Sequence, residues 1–268
     1  MPELPEVETV KNTLKKHVLG KKIISVDVFY NMIDKPDIET FKKLVKNQTI
    51  IDIKRRGKFL MFELDDYYLL SHLRMEGKYF IDGSITRHDH VIFYFDKGFL
   101  KYNDTRKFGR MYLVEKDKVY MEKPLSCLGL EPWDTNLTSD YLMEKLKNKR
   151  LPIKSILLDQ SIITGIGNIY ADEILFKSNI NPLKKGNNIN LTESNNIIKY
   201  TRDILERAIK LGGTTIKSYE SSRGVHGRFQ NNLLVHNHEG DKCPNCNSII
   251  IKIKINGRGT YYCPKCQK

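Results

Sequence analysis

Four cysteines near the end of the chain constrain its fold more than any other feature. Cys243, Cys246, Cys263 and Cys266 are spaced C-x2-C-x16-C-x2-C, inside the window for a tetrahedral four-thiolate zinc site. Each pair has the Cys-Pro-x-Cys form. Between the pairs lie an isoleucine-rich run from Ile249 to Ile255, the dipeptide Asn256-Gly257, and Thr260-Tyr261-Tyr262. That pattern predicts two strands around a tight turn, a β-hairpin finger. The competing reading is a pair of disulfides. The N-terminus carries acids where a secretory signal has a basic and then an apolar stretch. The chain is therefore expected in the cytoplasm, where disulfides are rare. Four thiolates leave no open coordination position, so this zinc, one per chain, is expected to be structural. The fifth cysteine, Cys127, reads as a small half-buried side chain.

At 268 residues the chain can build one large or two ordinary domains with real cores. Its 45 basic residues against 32 acidic ones give a formal charge of +13. That excess favours a polyanionic partner: nucleic acid, an anionic membrane surface or a phosphorylated substrate. The apolar runs are strand-length and broken by charge, so no membrane span is expected. Val7, Val10, Leu14 and Val18 recur at helical spacing, with Gly20 as the stop. Residues 22–30 alternate as a strand and 37–45 read as a short helix. Further strands are expected at 49–54, 59–64, 67–73, 91–95, 98–102 and 110–114. The segment Gly129 to Asp134 reads as an interdomain linker. From Ser139 the period turns helical, with helices expected at 139–147, 153–159, 168–178 and 192–211. Residues 217–228 have no period, carry two glycines and read as a mobile loop. The fold class is thus α+β in two domains: an N-terminal β-sandwich with flanking helices, then a helical domain and the β-hairpin zinc finger.

The chain begins Met1-Pro2-Glu3-Leu4-Pro5-Glu6-Val7-Glu8. A small second residue lets the initiator methionine be trimmed, which would leave Pro2 as a secondary amine at the terminus. Such an amine titrates near ~8, so part of it is neutral at pH 7. A helix starts directly behind it, and the positive end of that helix disfavours a protonated amine. Glu3 stands beside it to exchange protons. A neutral amine attacking an electrophilic carbon is a route to covalent catalysis. Ordinary N-capping, with proline and glutamate in a first turn, explains the same residues.

Other positions carry two readings each. Gly165-Ile166-Gly167 leads into a helix at Asn168, expected as its N-cap, and such a turn presents N–H groups to a phosphate or simply joins two helices. Arg55-Arg56-Gly57-Lys58 lies between strands, either gripping phosphate or as solvated turn residues. Phe108, in the basic run from Asn103 to Arg110, fits a wedge in a base stack or a loop anchor in a core. Met75 invites the same pair of readings. Arg258, between Gly257 and Gly259 at the fingertip, reads best as a phosphate contact.

Taken together, MPELPEVETV, RRGKFL, HLRMEGKY, RHDHV, DTRKFGR, GIGNIYADE and the closing INGRGTYYCPKCQ resemble the bacterial formamidopyrimidine-DNA glycosylase family over the whole chain. The resemblance implies that Pro2 is the nucleophile attacking C1′ of the damaged nucleotide and Glu3 the acid that assists ring opening. It implies Lys58 in β-elimination and Arg258 in phosphate binding and δ-elimination. Met75, Arg106 and Phe108 would fill the gap left by a flipped base, with Arg106 addressing the orphaned cytosine. His72, His88, Lys149 and Asn168 match DNA-contacting positions, and Glu6 and Glu173 match carboxylates close to the nucleophile. The 217–228 loop would cover the lesion. The expected domains are 1–130 (catalytic β-sandwich), 131–216 (helix-two-turn-helix), 217–234 (lesion loop and connection) and 235–268 (zinc finger). The expected partner of this bacterial, nucleoid-associated monomer is duplex DNA holding an oxidised purine or an abasic site, with no membrane. One departure stands out: the family often reads Val-Tyr-Gly where this chain has Val235-His236-Asn237. A tyrosine phosphate contact there would pass to His236 or be lost. The alternatives are an endonuclease VIII-like glycosylase for oxidised pyrimidines and a zinc-ribbon DNA-binding protein without catalysis.

Overall fold

The computed structural model describes residues 1–214 and 228–268, so the predicted loop at 217–228 lies, but for Arg228, outside the described residues. The chain divides into two units, Met1–Ser126 with Gly212–Gly227, and Cys127–Leu211 with Arg228–Lys268.

The first unit is built on two sheets. Helix α1 (Leu4–Val18) opens it, and Gly20 beyond its end takes the left-handed backbone a helix stop requires. Strands β1 (Ser25–Val28) and β2 (Ile33–Lys35) and helix α2 (Ile38–Val45) follow. Then come β3 (Asp52–Arg56), β4 (Phe59–Glu63), β5 (Tyr67–His72), β6 (Lys78–Ile81), β7 (Asp89–Tyr94), β8 (Phe99–Asn103) and β9 (Arg110–Glu115). One sheet has the order β1-β7-β8-β6 and the other β2-β9-β5-β4-β3. One core joins α1 (Val7, Val10, Leu14, Val18) to inward-facing residues of the sheets, among them Phe62, Leu69, Phe93 and Leu113.

Two strands escape the sequence pattern. β2 has three residues and pairs in parallel with β9, and β6 alternates weakly because only Tyr79 in it is buried. The strand expected at 22–30 shortens to Ser25–Val28, and the one at 49–54 shifts to Asp52–Arg56, with Thr49 left in an isolated bridge to Lys22.

The second unit holds α3 (Ser139–Leu146), α4 (Ile153–Leu157), α5 (Asn168–Lys177), α6 (Leu191–Lys210) and the hairpin β10 (Ile251–Ile255) and β11 (Arg258–Tyr262). Helix α6 starts with a capping box between Asn190 and Glu193, and its apolar stripe (Ile197, Thr201, Ile204, Leu205, Ala208) is buried. The segment read as a linker, Gly129 to Asp134, is instead part of this unit. Gly129 donates to the carbonyl of Gln160, Leu130 bridges Ile163, and Arg202 donates to the carbonyls of Pro132, Asp134 and Leu137. Cys127 is exposed, not half-buried. Among the described residues no helix is long and apolar enough to cross a membrane.

Candidate active site and nucleic-acid interface

The start of α1 is sunk into the first unit, for Pro2 through Val7 are all buried. Glu3 is the N-cap and Glu6, three residues on, closes a capping box, its Oε2 accepting from the Glu3 N–H at 2.8 Å. The other oxygen of Glu6 accepts from the Thr214 N–H at 2.8 Å and its hydroxyl at 3.1 Å. One buried carboxylate thus ties the N-terminal turn to the chain at Thr214. Burial holds the terminal α-amine of Met1 below its ordinary pKa. The charge of Lys58 acts in the same direction, while Glu3, Glu6 and Glu76 oppose it. Proton-exchanging groups of both signs therefore surround an amine kept partly neutral.

Lys58 owes its place to a two-residue turn between β3 and β4, where Arg56 pairs with Phe59 and Gly57 takes φ +56°. Arg55 is a structural residue, not a phosphate grip: it donates to Glu8 of α1 at 2.9 Å and to the Gly57 carbonyl at 2.9 Å, clamping the Lys58 turn to the helix. At the end of β5, His72 is buried, edge-on to Phe59, and its Nδ1 accepts from the Arg74 N–H at 3.0 Å. Burial, helped by the charges of Arg74 and Lys58, pulls His72 down to about 3. It is neutral and keeps its proton on Nε2, so it is a donor fit for a phosphate oxygen.

Two loops carry the expected gap-filling residues. Met75 sits half-buried in the turn after β5, and Arg106 and Phe108 lie between β8 and β9. Phe108 is 48% exposed, so it is not the core anchor its neutral reading allowed, and the Arg106 guanidinium stacks on it at 4.9 Å. The loop is held by Asp104, which is fully buried and accepts from the N–H groups of Arg106, Phe108 and Gly109 at 2.8–3.0 Å. The Asp104 N–H donates to the carbonyl of His88, and its carbonyl bonds His90 Nε2, which ties this loop to β7. Tyr102 joins the two loops. Its hydroxyl lies so close to Gly77 and Gly109 that an added Cβ would stand 2.1 and 1.8 Å from it. Each loop also has a non-glycine residue in the left-handed region, Arg74 at φ 53° and Lys107 at φ 57°, a strained backbone that surrounding structure must hold.

In the second unit Asn168 is the first residue of α5; Gly167, not Asn168, is the N-cap. The Asn168 side chain is spent differently, donating from Nδ2 to the Gly259 carbonyl of β11 at 3.0 Å. A second anchor joins Asn256 to the Ser155 hydroxyl at 2.8 Å, so the fingertip is seated on α4 and α5. Arg258 closes the hairpin opposite Ile255 and is exposed. Asn256 and Gly257 both have positive φ, as the tight turn read from the sequence demands. Lys149 lies beyond α3 and pairs loosely with Asp159 at 3.6 Å. Glu173 is buried, and its carboxylate accepts from the N–H groups of Leu234, Val235 and His236 at 2.9–3.0 Å. Burial still raises its pKa against those donors, with neighbouring Asp172 adding to the rise.

The four cysteine sulfurs lie within 4.8 Å of one another, Cys243 to Cys266 at 3.8 Å and Cys246 to Cys263 at 3.5 Å. Four sulfurs at ~2.3 Å from one tetrahedral ion stand ~3.8 Å apart, whereas a disulfide needs ~2.0 Å. These cysteines bind one structural zinc. Phe176, Val235 and Ile250 pack around Cys243 and Cys263, and Gln267 accepts from the Cys263 N–H while donating to the carbonyl of Ile180.

Sequence reasoning missed Asp104, Tyr102 and Thr214. Only Asp104, placed where aspartate folds onto backbone N–H groups ahead of it, left a readable sign.

Three family models match the chain: the formamidopyrimidine-DNA glycosylase N-terminal domain over residues 1–111, its H2TH domain over 128–220, and a zinc finger found in FPG and IleRS over 240–268. Among curated relatives, the formamidopyrimidine-DNA glycosylase of Oceanobacillus iheyensis is 49% identical, with 100% of this chain and 98% of that protein covered. The Halalkalibacterium halodurans protein of the same name is 46% identical, with both chains covered in full. Among solved structures, a Lactococcus lactis FPG variant in complex with Fapy-dG-containing DNA superposes with a TM-score of 0.94 at 41% identity, both chains covered in full. The L. lactis Fpg complex with DNA containing an abasic site gives 0.93 at 41% identity, with 99% of each chain covered.

Proposed function

Since the chain belongs to the formamidopyrimidine-DNA glycosylase family, we propose that its buried N-terminal turn is the catalytic centre of a DNA repair enzyme that is both N-glycosylase and abasic-site lyase. The enzyme excises oxidised purines, 8-oxoguanine and formamidopyrimidines, from duplex DNA in the bacterial cytoplasm and nucleoid. The observation that carries the assignment of residues is the buried N-terminal turn, where Glu3, Glu6 and Lys58 all act on the amine of Met1, one residue from the Pro2 nitrogen, and burial lowers its pKa.

A base inside a duplex is out of reach, so the damaged nucleotide is extruded at a cost of a few kcal/mol. Exposed Phe108, stacked under Arg106, and Met75 enter the vacated stack and offset that cost. Removal of Met1 makes Pro2 nitrogen the terminal amine. Its lone pair forms a bond to C1′ while the C1′–base bond breaks and its electron pair leaves with the base. The proton on the Pro2 nitrogen passes to the departing base, the nitrogen lone pair forms the C1′=N bond as the C1′–O4′ bond breaks, and O4′ takes a proton from Glu3. The resulting iminium nitrogen carries no hydrogen, so it stays a cation. The iminium acidifies the C2′ hydrogen; Lys58 serves its removal, and the 3′ phosphate leaves. A second elimination, assisted by Arg258, expels the 5′ phosphate, and water releases Pro2. His72 Nε2 and the second N–H of the Asn168 amide, whose first is held by Gly259, each offer a hydrogen-bond donor to the DNA backbone, and His88 and Lys149 add contacts at the rims.

The test is a duplex with 8-oxoguanine opposite cytosine. The enzyme is expected to release the modified base and leave a one-nucleotide gap with phosphates at both ends. Glu3→Gln and Lys58→Ala are expected to lower turnover by ~100-fold or more. Release of oxidised pyrimidines in preference to 8-oxoguanine would assign the chain to the endonuclease VIII-like branch. Binding without base release would assign it to non-catalytic DNA binding.

A further inference from the structure

The loop that carries Arg106 and Phe108 is braced from outside its own pair of strands. β1 runs antiparallel to β7 with Val28 opposite Val91, and the Phe29 N–H extends the pairing by donating to the His90 carbonyl at 2.8 Å. That register sets Tyr30 against His90, ring centroids 5.4 Å apart. His90 Nε2 in turn donates at 2.8 Å to the carbonyl of Asp104, the buried residue at the root of the loop. At the crest, the Lys107 ammonium stands 4.5 Å from the centre of the Tyr30 ring. Tyr30 thus reaches the root of the loop through His90 and its crest directly.

The crest needs such a support. Lys107 has φ 57°, a left-handed backbone that a residue with a Cβ keeps only when its surroundings hold it. Its ammonium has no carboxylate partner among the described residues, so the face of the Tyr30 ring is what attracts it. The same segment grips the far end of the loop. Met111 donates to the Met32 carbonyl at 2.8 Å, and Asp34 pairs with Arg110 at 3.3 Å. Arg106 and Phe108 flank Lys107 and stack on each other, so the backbone at Lys107 sets the direction of the guanidinium.

We propose that Tyr30, through its cation–π contact with Lys107, is a positioning residue for reading the base opposite the lesion. The inference rests on the glycosylase reading above, in which Arg106 addresses the orphaned cytosine. A guanidinium has N–H donors and no acceptor. Cytosine offers it two adjacent acceptors, O2 and N3; adenine offers N1 beside an amino group that repels it. Telling them apart takes two hydrogen bonds made at once, which depends on the angle at which the guanidinium arrives. A loop free to swing makes one hydrogen bond to either base. The brace on Lys107 narrows that swing. The reaction itself gives Tyr30 and Lys107 no part, so their loss changes the choice of opposite base and not the chemistry.

The test compares single-turnover release of 8-oxoguanine from duplexes with cytosine or adenine opposite, using the full-length, zinc-loaded enzyme. The variants are Tyr30→Phe, Tyr30→Leu, Lys107→Met, and Tyr30→Leu combined with Lys107→Met. Tyr30 is 40% exposed and Lys107 is exposed, so each variant is expected to fold, and thermal unfolding verifies it. Tyr30→Phe keeps the ring and should keep the wild-type preference for cytosine. Tyr30→Leu and Lys107→Met should each lower that preference ~2–5-fold, the scale of one exposed cation–π contact. The double variant should lose no more than either single one, because both remove the same contact. Losses that multiply in the double variant, or an unchanged preference in either single one, overturn the role given to Tyr30. A wild type that releases 8-oxoguanine equally from both duplexes also overturns it, while the glycosylase reading stands. If the wild type releases 8-oxoguanine from neither duplex, both fall.

Discussion

A buried imidazole that cannot hold a second proton makes His72 a source of acid lability. Its folded pKa of about 3 lies below the ordinary 6.5. As pH falls through 6.5 the unfolded chain takes up a proton that the folded chain refuses, so stability declines from there down to about pH 3 and then levels. The loss is about 1.4 kcal/mol for each pH unit of that gap. Denaturant unfolding at several pH values is expected to show a shallower acid decline for His72→Gln than for the wild type. Parallel curves would contradict the neutral buried state assigned here. At this scale the sequence was legible wherever a residue type has one common use. The cysteine quartet is the clear case. Asn168 is the opposite one, because asparagine at a helix start caps by default, and only the tertiary fold reveals that its amide is committed to Gly259.

Among the elements, the two loops that bear Met75 and Phe108 depend on one tyrosine. Gly109→Ala would put a methyl 1.8 Å from the Tyr102 hydroxyl, and the three atoms nearest to it all belong to that side chain. It is expected to destabilise the protein by ~1–3 kcal/mol, as overpacking does, and to weaken discrimination of the base opposite the lesion. Adding Tyr102→Phe should recover part of the stability, because the oxygen is the nearest clash. Thermal unfolding of the single and double variants checks this; a double variant less stable than the sum of the singles would refute the contact. The finger makes a second prediction. Arg258→Ala is expected to leave fold and zinc content intact and to lower the salt slope of DNA binding by about one unit; an unchanged slope would place Arg258 outside the interface. The finger's hairpin was predictable because Asn-Gly between isoleucine and tyrosine runs has one good conformation. β2 and β6 were not, since neither alternates enough to show which face is buried.

For the whole molecule, the helices of both units and every strand but β2 and β6 could be placed to within a few residues, and so could the α+β class. The interlocking of distant segments could not. Glu6 meets Thr214 across 208 residues, and Glu173 meets Leu234 to His236 across more than 60. Single-sequence periodicity carries no information on such pairs. The N-terminal site was legible as chemistry but not as geometry: a terminal proline next to glutamate suggests an amine nucleophile, while its burial beside Lys58 is a product of the fold. The most direct test of the account is therefore borohydride reduction during reaction with a duplex containing 8-oxoguanine opposite cytosine, with the adduct mapped by mass spectrometry. The account predicts a covalent link at Pro2 in protein lacking Met1, and little or none when Met1 is retained. An adduct confined to Lys58, or equal trapping with Met1 in place, would contradict it.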